Sequence, residues 1–540
     1  MMRRQALLGA CLLALIGAGC PSPPPQQAPR NGGVAVPTPT AQSADSSLRW
    51  AIGEPTAIVP IDAVTPDDLL VVDALYDSLT AWDERLQVVP STAVRWTARR
   101  GGRVWRFALR RNATFHDGTP VTAQHFVDTW NVMASRGAAH HHLADVEGYQ
   151  AVRDGSTDVL SGVRAVDTST LEVRLRRPNY EWPAVAGHPA LGPMPRPRAP
   201  NRVQPVGNGP FTLAEPWARE RFLRLSRADE QSDGARPGRL LDEVVFQVMD
   251  AATAYLAFAQ GRVDVASLPP GADDRSRFPV STRYTGPGLL RGPLPATYLL
   301  VFDTSRPPFD DVNARRGIAM ALDRTGMAQS AFAGQAGPAR TLVPPVLPGA
   351  RQRTCLACVF DPAGARRALR DAAVGEVALW VNRGGDHERV AARVQRDLDA
   401  AGVRVRVRAV GFERFRTAMT AEPGLFRFGW APDYPTLDNA LRPLLHSAAT
   451  PQRGGANYSR YRNPDIDRLL DRAAATQDPA ARVARYRRIE DLVIGRDQVV
   501  IPVVNPRRGT VVAERVRGLI YGPMGTANLE HVRVVERDVP

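Results

Sequence analysis

The sequence predicts an α/β protein of two or more lobes that works outside the cytoplasm, and three observations carry that reading. A chain of 540 residues is too long for one simple core, so it divides. Strand-like alternation and helical periodicity follow one another through the body, with Pro-rich joints at 178–205 and 341–348. The first 47 residues have the composition of a leader and a spacer rather than of a core.

The leader comes first in the chain. Met1 to Arg4 is short and basic, and Ala6 to Gly19 is apolar but too short to be a good spanning helix. Charge, apolar run and small residues before a cut site make a secretory signal over 1–19. Cys20 directly follows Gly17-Ala18-Gly19 and resembles the lipidated cysteine of a bacterial lipobox, although Gly17 stands where that pattern usually has Leu. The resemblance implies that Cys20 is the first residue of the mature chain and carries its lipid. The rest of 20–47 is rich in Pro, Gln, Ser, Thr and Gly, which cannot bury a core and reads as a tether.

Composition narrows the function. All 69 basic residues are Arg, the chain has no Lys, and the formal charge is +14. The arginines are scattered, often in pairs such as Arg99-Arg100 and Arg366-Arg367, and no dense basic block alternates with aromatics. That pattern speaks against nucleic acid and for a solvated surface.

The body begins with a strand at Leu48–Ile52. Asp67 and Asp68 then open a helix whose apolar face is Leu70, Ala74 and Leu75. Trp105, Phe107 and Leu109 alternate as a half-buried strand, and Asp117-Gly118 signals a tight turn. Thr122 is a good N-cap for a helix that places Phe126, Val127, Trp130 and Met133 on one face. His116 beside Asp117 invites a catalytic reading, but a lone pair in a turn reads as structural. Gly207-Asn208-Gly209-Pro210 reads as a strand-entry turn, since no helix start with a basic residue follows to cradle a phosphate.

The most informative stretch is Arg427-Phe428-Gly429-Trp430-Ala431-Pro432-Asp433-Tyr434-Pro435. Proline on either side of Asp433-Tyr434 makes a rigid loop leaving a strand. An aromatic wall beside a fixed carboxylate suits a ligand with a cationic amine and an apolar body. A buried turn with a capped aspartate explains the same residues equally well. Cys355 and Cys358 have redox- or zinc-like spacing, but a single such pair excludes a four-thiolate zinc site, and export favours a structural disulfide. His140-His141-His142 offers imidazoles to a metal, while its Ala neighbours and the acidic loop after it fit an exposed helix end better.

Taken together, Trp105, Phe107, Leu109, Arg110, Phe115, Asp117, Gly118, Pro120, Val121, Thr122, Ala123 and Trp130 resemble the signature of extracytoplasmic solute-binding proteins of the peptide/nickel class, the dipeptide- and oligopeptide-binding components of ABC importers. Val206–Phe211, Leu256–Asp264, Pro307–Val312 with Arg315, Ala321–Arg324, Asp361-Pro362, Tyr461–Asp467 and Ile501–Val503 continue the pattern, so the resemblance covers nearly all of the chain after Leu48.

The resemblance implies an α/β two-lobe periplasmic-binding-protein clamp (type II-like) with an extra inserted subdomain. Lobe I is expected at 48–82, 206–293 and 503–540, the inserted subdomain at 83–205 and lobe II at 294–502. Two crossings between the lobes act as a hinge, and closure buries the ligand. The resemblance assigns Asp433 to the α-ammonium of a peptide, Trp430 to a side-chain pocket, and Arg427 to a buried acid or the ligand's carboxylate. Tyr434 flanks the anchor, and Val64, Thr65 and Tyr298 line other parts of the cleft. It implies no cofactor. The implied partners are a peptide, the permease subunits of an importer and a membrane reached through the lipid on Cys20; nucleic acid is not among them, and the chain is expected to be a monomer.

Alternatives within the same family are nickel or a metal chelate and an oligosaccharide. An extracellular peptide-acting enzyme is a different class. Neither G-x-S-x-G nor H-E-x-x-H occurs, which favours binding over catalysis.

Overall fold

A computed structural model describes residues 46–228, 241–269, 280–281, 287–385 and 387–535. Cys20, the signal segment and the tether up to residue 45 lie outside the described residues.

The first strand, Ser47–Ile52, buries Leu48, Trp50 and Ile52. Such a run can lie at the centre of a sheet, and it does. It pairs in parallel with Glu243–Val248 and touches Val265 on its other side. Around it runs an eight-stranded sheet in the order Val280–Ser281, Gly288–Leu290, Thr510–Val512, Val265–Ser267, Ser47–Ile52, Glu243–Val248, Phe222–Arg227, Phe211–Leu213. Asp264, 1% exposed, accepts from Arg49 and Arg515 and so ties the N-terminal strand to the C-terminal tail.

A second sheet of six strands runs Ala336–Pro338, Ile501–Pro506, Thr297–Val301, Leu425–Trp430, Glu376–Asn382, Arg404–Val410. Two apolar cores flank it, one centred on Tyr298, Leu379 and Val503, the other on Phe426, Phe428 and Trp430. A third sheet of four strands, Ala93–Arg99, Val104–Leu109, Thr170–Arg174 and Val163–Asp167, packs with helix Ala123–Arg136. Phe126, Trp130 and Met133 of that helix are fully buried.

Strand Ile501–Pro506 belongs wholly to the six-stranded sheet. The expected lobe boundary at 502/503 therefore cuts a strand; the chain leaves this sheet after Pro506 and enters the first at Thr510. The other crossing lies between Leu290 and Thr297. The two crossings pair with each other. The Leu294 N–H donates to the Pro506 carbonyl at 2.9 Å, and the Arg508 N–H donates to the Gly292 carbonyl at 2.8 Å.

His116 has the structural role its turn predicted. Its Nδ1 accepts from the Gly207 N–H at 3.2 Å and its Nε2 faces the Gly209 carbonyl at 3.0 Å, pinning the strand-entry turn. Gly207 needs to be glycine, because a Cβ there would sit 1.9 Å from the Leu75 carbonyl oxygen. Cys355 and Cys358 are joined by a disulfide around the short turn Leu356–Cys358. Beside it the buried Arg324 donates to the Cys358, Pro502, Ala319 and Leu322 carbonyls. Among the described residues no helix is long and apolar enough to cross a membrane.

Candidate ligand-binding site

Strand Leu425–Trp430 is buried along its whole length, and helix Leu437–Leu445 follows it. The connecting loop carries Asp433. Pro432 and Pro435 stiffen it, and Asn439 fastens it from the helix. The Asn439 side-chain oxygen accepts from the Asp433 N–H at 2.7 Å, while its carbonyl accepts from Trp430 Nε1–H at 2.9 Å. Thr436 caps the helix by accepting from the Asn439 N–H. One asparagine thus fixes both the ring and the acid.

The Asp433 carboxylate is 18% exposed. Its ion-pair neighbour within 4.0 Å among the described residues is an imidazole, His141 Nε2 at 3.9 Å, and not a guanidinium. Tyr434 is half-buried and packs against the core of the first sheet. Burial, and then Asp145 with the other nearby carboxylates, pushes its phenol well above the ordinary range.

The other site residues fall elsewhere. Trp430, 7% exposed, is part of a core and shows little of its ring. Arg427 is 1% exposed; its guanidinium donates to the Asn382 side-chain oxygen and lies 5.5 Å from the Phe415 ring centre. Tyr298 lies deep in the second sheet. It is wholly buried against Phe332 and His387, because it sits on a central strand with both faces covered. Thr65 spends its hydroxyl on the N-cap of helix Pro66–Leu75, accepting from the Asp68 N–H at 3.2 Å. The Val64 N–H donates to Asp68, and its side chain packs on the first core.

The His run departs from an exposed helix end. It forms the short 3-10 turn His140–Leu143, with His140 and His142 at 5% and 6% exposure. The turn is drawn inward because it packs on helix Ala123–Arg136 and on His188, whose ring centre is 3.9 Å from that of His142.

Beside this face the segment after the four-stranded sheet meets helix Leu437–Leu445 through a buried charge network that sequence reading missed. Arg177 binds Asp145 at 2.6 Å and Asp438 at 3.2 Å. Asp438 also accepts from Arg442 at 2.9 Å and from the Tyr486 hydroxyl at 3.0 Å. Glu181 accepts from the Asp438 N–H at 3.3 Å, and the Tyr180 N–H donates to the Ala474 carbonyl. Burial opposes ionisation of Asp438, yet Arg442 and Arg177 hold its carboxyl below the ordinary range. Glu181 goes the other way: burial and the Asp438 charge push it up to about 7. Asp438 could have been suspected as an acid in the first turn of a helix, but nothing local ties it to Arg177, 261 positions away.

The model for the middle region of bacterial extracellular solute-binding proteins, family 5, matches residues 87–452. The chain belongs to that family. A probable di/tripeptide-binding protein of Pseudomonas aeruginosa is 25% identical to this family 5 protein over 491 residues, 86% of this chain and 90% of the relative. The periplasmic murein peptide-binding protein MppA of Escherichia coli is 26% identical over 521 residues, 89% of this chain and 92% of the relative. The fold of this family 5 protein matches the murein tripeptide-binding protein MppA in its unliganded open form, with a TM-score of 0.78 over 92% of this chain and 98% of the other, at 24% identity. The two-lobe α/β clamp is therefore the fold of this chain, and its family is one of binding proteins acting outside the cytoplasm.

Proposed function

We propose that this protein is the receptor of an ABC importer, that it captures peptides by their amino terminus at Asp433, and that it releases them unchanged to a membrane permease. The observation that carries the reading is Asp433 itself. Among the described residues of a chain with 69 arginines, this fixed carboxylate has no guanidinium within 4.0 Å. An α-ammonium placed there would gain a charge-assisted hydrogen bond. Tyr434 would flank it, and the backbone near Val64 and Thr65 would close the far side. Relatives whose names state peptide binding match over most of their length, which supports peptide as the ligand class.

In the same reading residues 48–82, 206–293 and the tail from 507 make lobe I, 83–205 the inserted subdomain and 294–506 lobe II, with the paired crossings as the hinge. The mature chain begins at a lipidated Cys20 and works as a monomer, as a binder rather than an enzyme.

The test is calorimetric titration of the tag-free mature chain with a tripeptide, free and N-acetylated, followed by mass spectrometry of the recovered peptide. The free peptide should bind and return intact, and acetylation should weaken it at least tenfold. Equal affinity for the two forms would remove Asp433 as the amine anchor, and cleaved peptide would overturn the binder reading.

A further inference from the structure

We propose that His141, His142 and Asp433 form a binding site for one divalent transition-metal ion, joining the inserted subdomain to the second lobe. One donor atom from each of the three residues lies within 4.8 Å of the others. Two come from consecutive residues of the turn His140–Leu143, whose rings are 4.0 Å apart, and the third comes from the far side of the lobe contact.

The neighbouring nitrogens separate ligands from scaffold. His140 Nδ1 is engaged with the Tyr149 hydroxyl at 2.6 Å. His188 Nδ1 accepts from the Ala190 N–H at 3.2 Å, so its tautomer is set and its ring is a fixed wall against His142. In contrast, His141 Nε2 and His142 Nδ1 are both buried atoms with no hydrogen-bond partner. Buried polar atoms are normally satisfied, so two of them on neighbouring rings beside a carboxylate call for an occupant.

The donor set names the class of ion. Two imidazoles and one carboxylate suit zinc, nickel or copper and do not suit calcium or magnesium, which want oxygen. Bonds of about 2.0–2.2 Å require the donors to draw closer than they stand here. His141, whose side chain is 36% exposed, has the freedom to make that adjustment. Three protein ligands leave a coordination position open. On the reading of Asp433 as the amine anchor, metal and α-ammonium compete for the same carboxylate.

The experiment strips the tag-free mature chain with a chelator and titrates it with zinc chloride by calorimetry and with cobalt(II) chloride by visible absorption. One ion per chain should bind, and cobalt should show the intense bands of a four-coordinate site. His141→Ala and Asp433→Asn, each checked for native circular dichroism, should each weaken zinc at least tenfold, while His531→Gln, at an exposed position, should not. His142→Gln should do the same as His141→Ala, but it alters a buried ring, so His141→Ala and Asp433→Asn are the deciding pair. No stoichiometric binding to wild type, or unchanged binding in both of that pair, overturns the proposal. A free tripeptide added as competitor separates the two readings. Zinc lost in His141→Ala but indifferent to peptide upholds the metal site and removes the shared anchor. Peptide binding without zinc binding removes the metal site alone.

Discussion

Arg177, which follows strand Thr170–Arg174, reaches Asp438 of helix Leu437–Leu445 at 3.2 Å while the same nitrogen holds Asp145 at 2.6 Å. One guanidinium thus joins two units of the chain, and Glu181, with a carboxyl pushed up to about 7, sits in the same contact.

Glu181 makes that contact pH-dependent. Its folded pKa lies above the ordinary value of 4.5, so the unfolded chain loses this proton first as pH rises. The stability it contributes is complete below about pH 4.5 and is lost as pH climbs to about 7. Glu181→Gln should therefore be more stable than wild type at pH 8, by on the order of 2–3 kcal/mol, and should match it near pH 4.5. Urea unfolding at the two pH values reads this directly; a variant with the wild-type pH profile would show that Glu181 is not the source.

Asp433→Asn should weaken a free peptide by on the order of a hundredfold or more, because an ammonium desolvated without its carboxylate loses about 3–5 kcal/mol. N-acetylating the peptide removes the same interaction from the other side, so the two losses should not add. A double-mutant-style cycle of two proteins and two peptides measures the coupling. A coupling energy near zero would return Asp433 to a structural role.

His387 titrates in the opposite sense to Glu181. Burial, and then the Arg427 charge, push its imidazole down to about 3 from an ordinary 6.5. The unfolded chain takes up this proton first on acidification, so the stability it carries is present above pH 6.5 and is lost on the way down to about 3. His387→Leu should flatten the acid limb of the urea-midpoint profile below pH 6.5, whatever it does to stability at pH 7.5. An acid limb as steep as that of wild type would refute this.

The Cys355–Cys358 disulfide closes a very short loop, which limits the chain entropy it can remove. Reduction should lower stability by about 2 kcal/mol and leave the fold intact. Thermal melts with and without a reductant check it, and unfolding on reduction alone would show a larger role.

Cys20→Ser should move the protein out of the membrane fraction or stop its processing. Fractionation with a specific antibody decides, and an unchanged membrane fraction would end the lipid-anchor reading.

Local chemistry was legible in the sequence. Asp67 and Asp68 opened their helix, Thr122 stood at the start of Ala123–Arg136, and the proline pair around Asp433-Tyr434 did mark a loop leaving a strand. Burial was harder to read. Tyr298 and Arg427 sit on strands covered on both faces, and the covering elements come from distant parts of the chain. The His run failed for the same reason, since its enclosure depends on His188 and on a helix packed above it. Asn439 was the residue most within reach, as the third position after a Thr cap, yet its clamp on Asp433 exists only once the loop has folded back on its helix.

The strand Thr510–Val512 lies between Gly288–Leu290 and Val265–Ser267, inside the eight-stranded sheet and not at its edge. This sheet is therefore missing an interior strand until residue 512 has been made. A ribosome or a translocase working from the N-terminus delivers the first strand, Ser47–Ile52, long before the strand that completes its sheet. Such an order of delivery keeps the nascent chain from closing its core early.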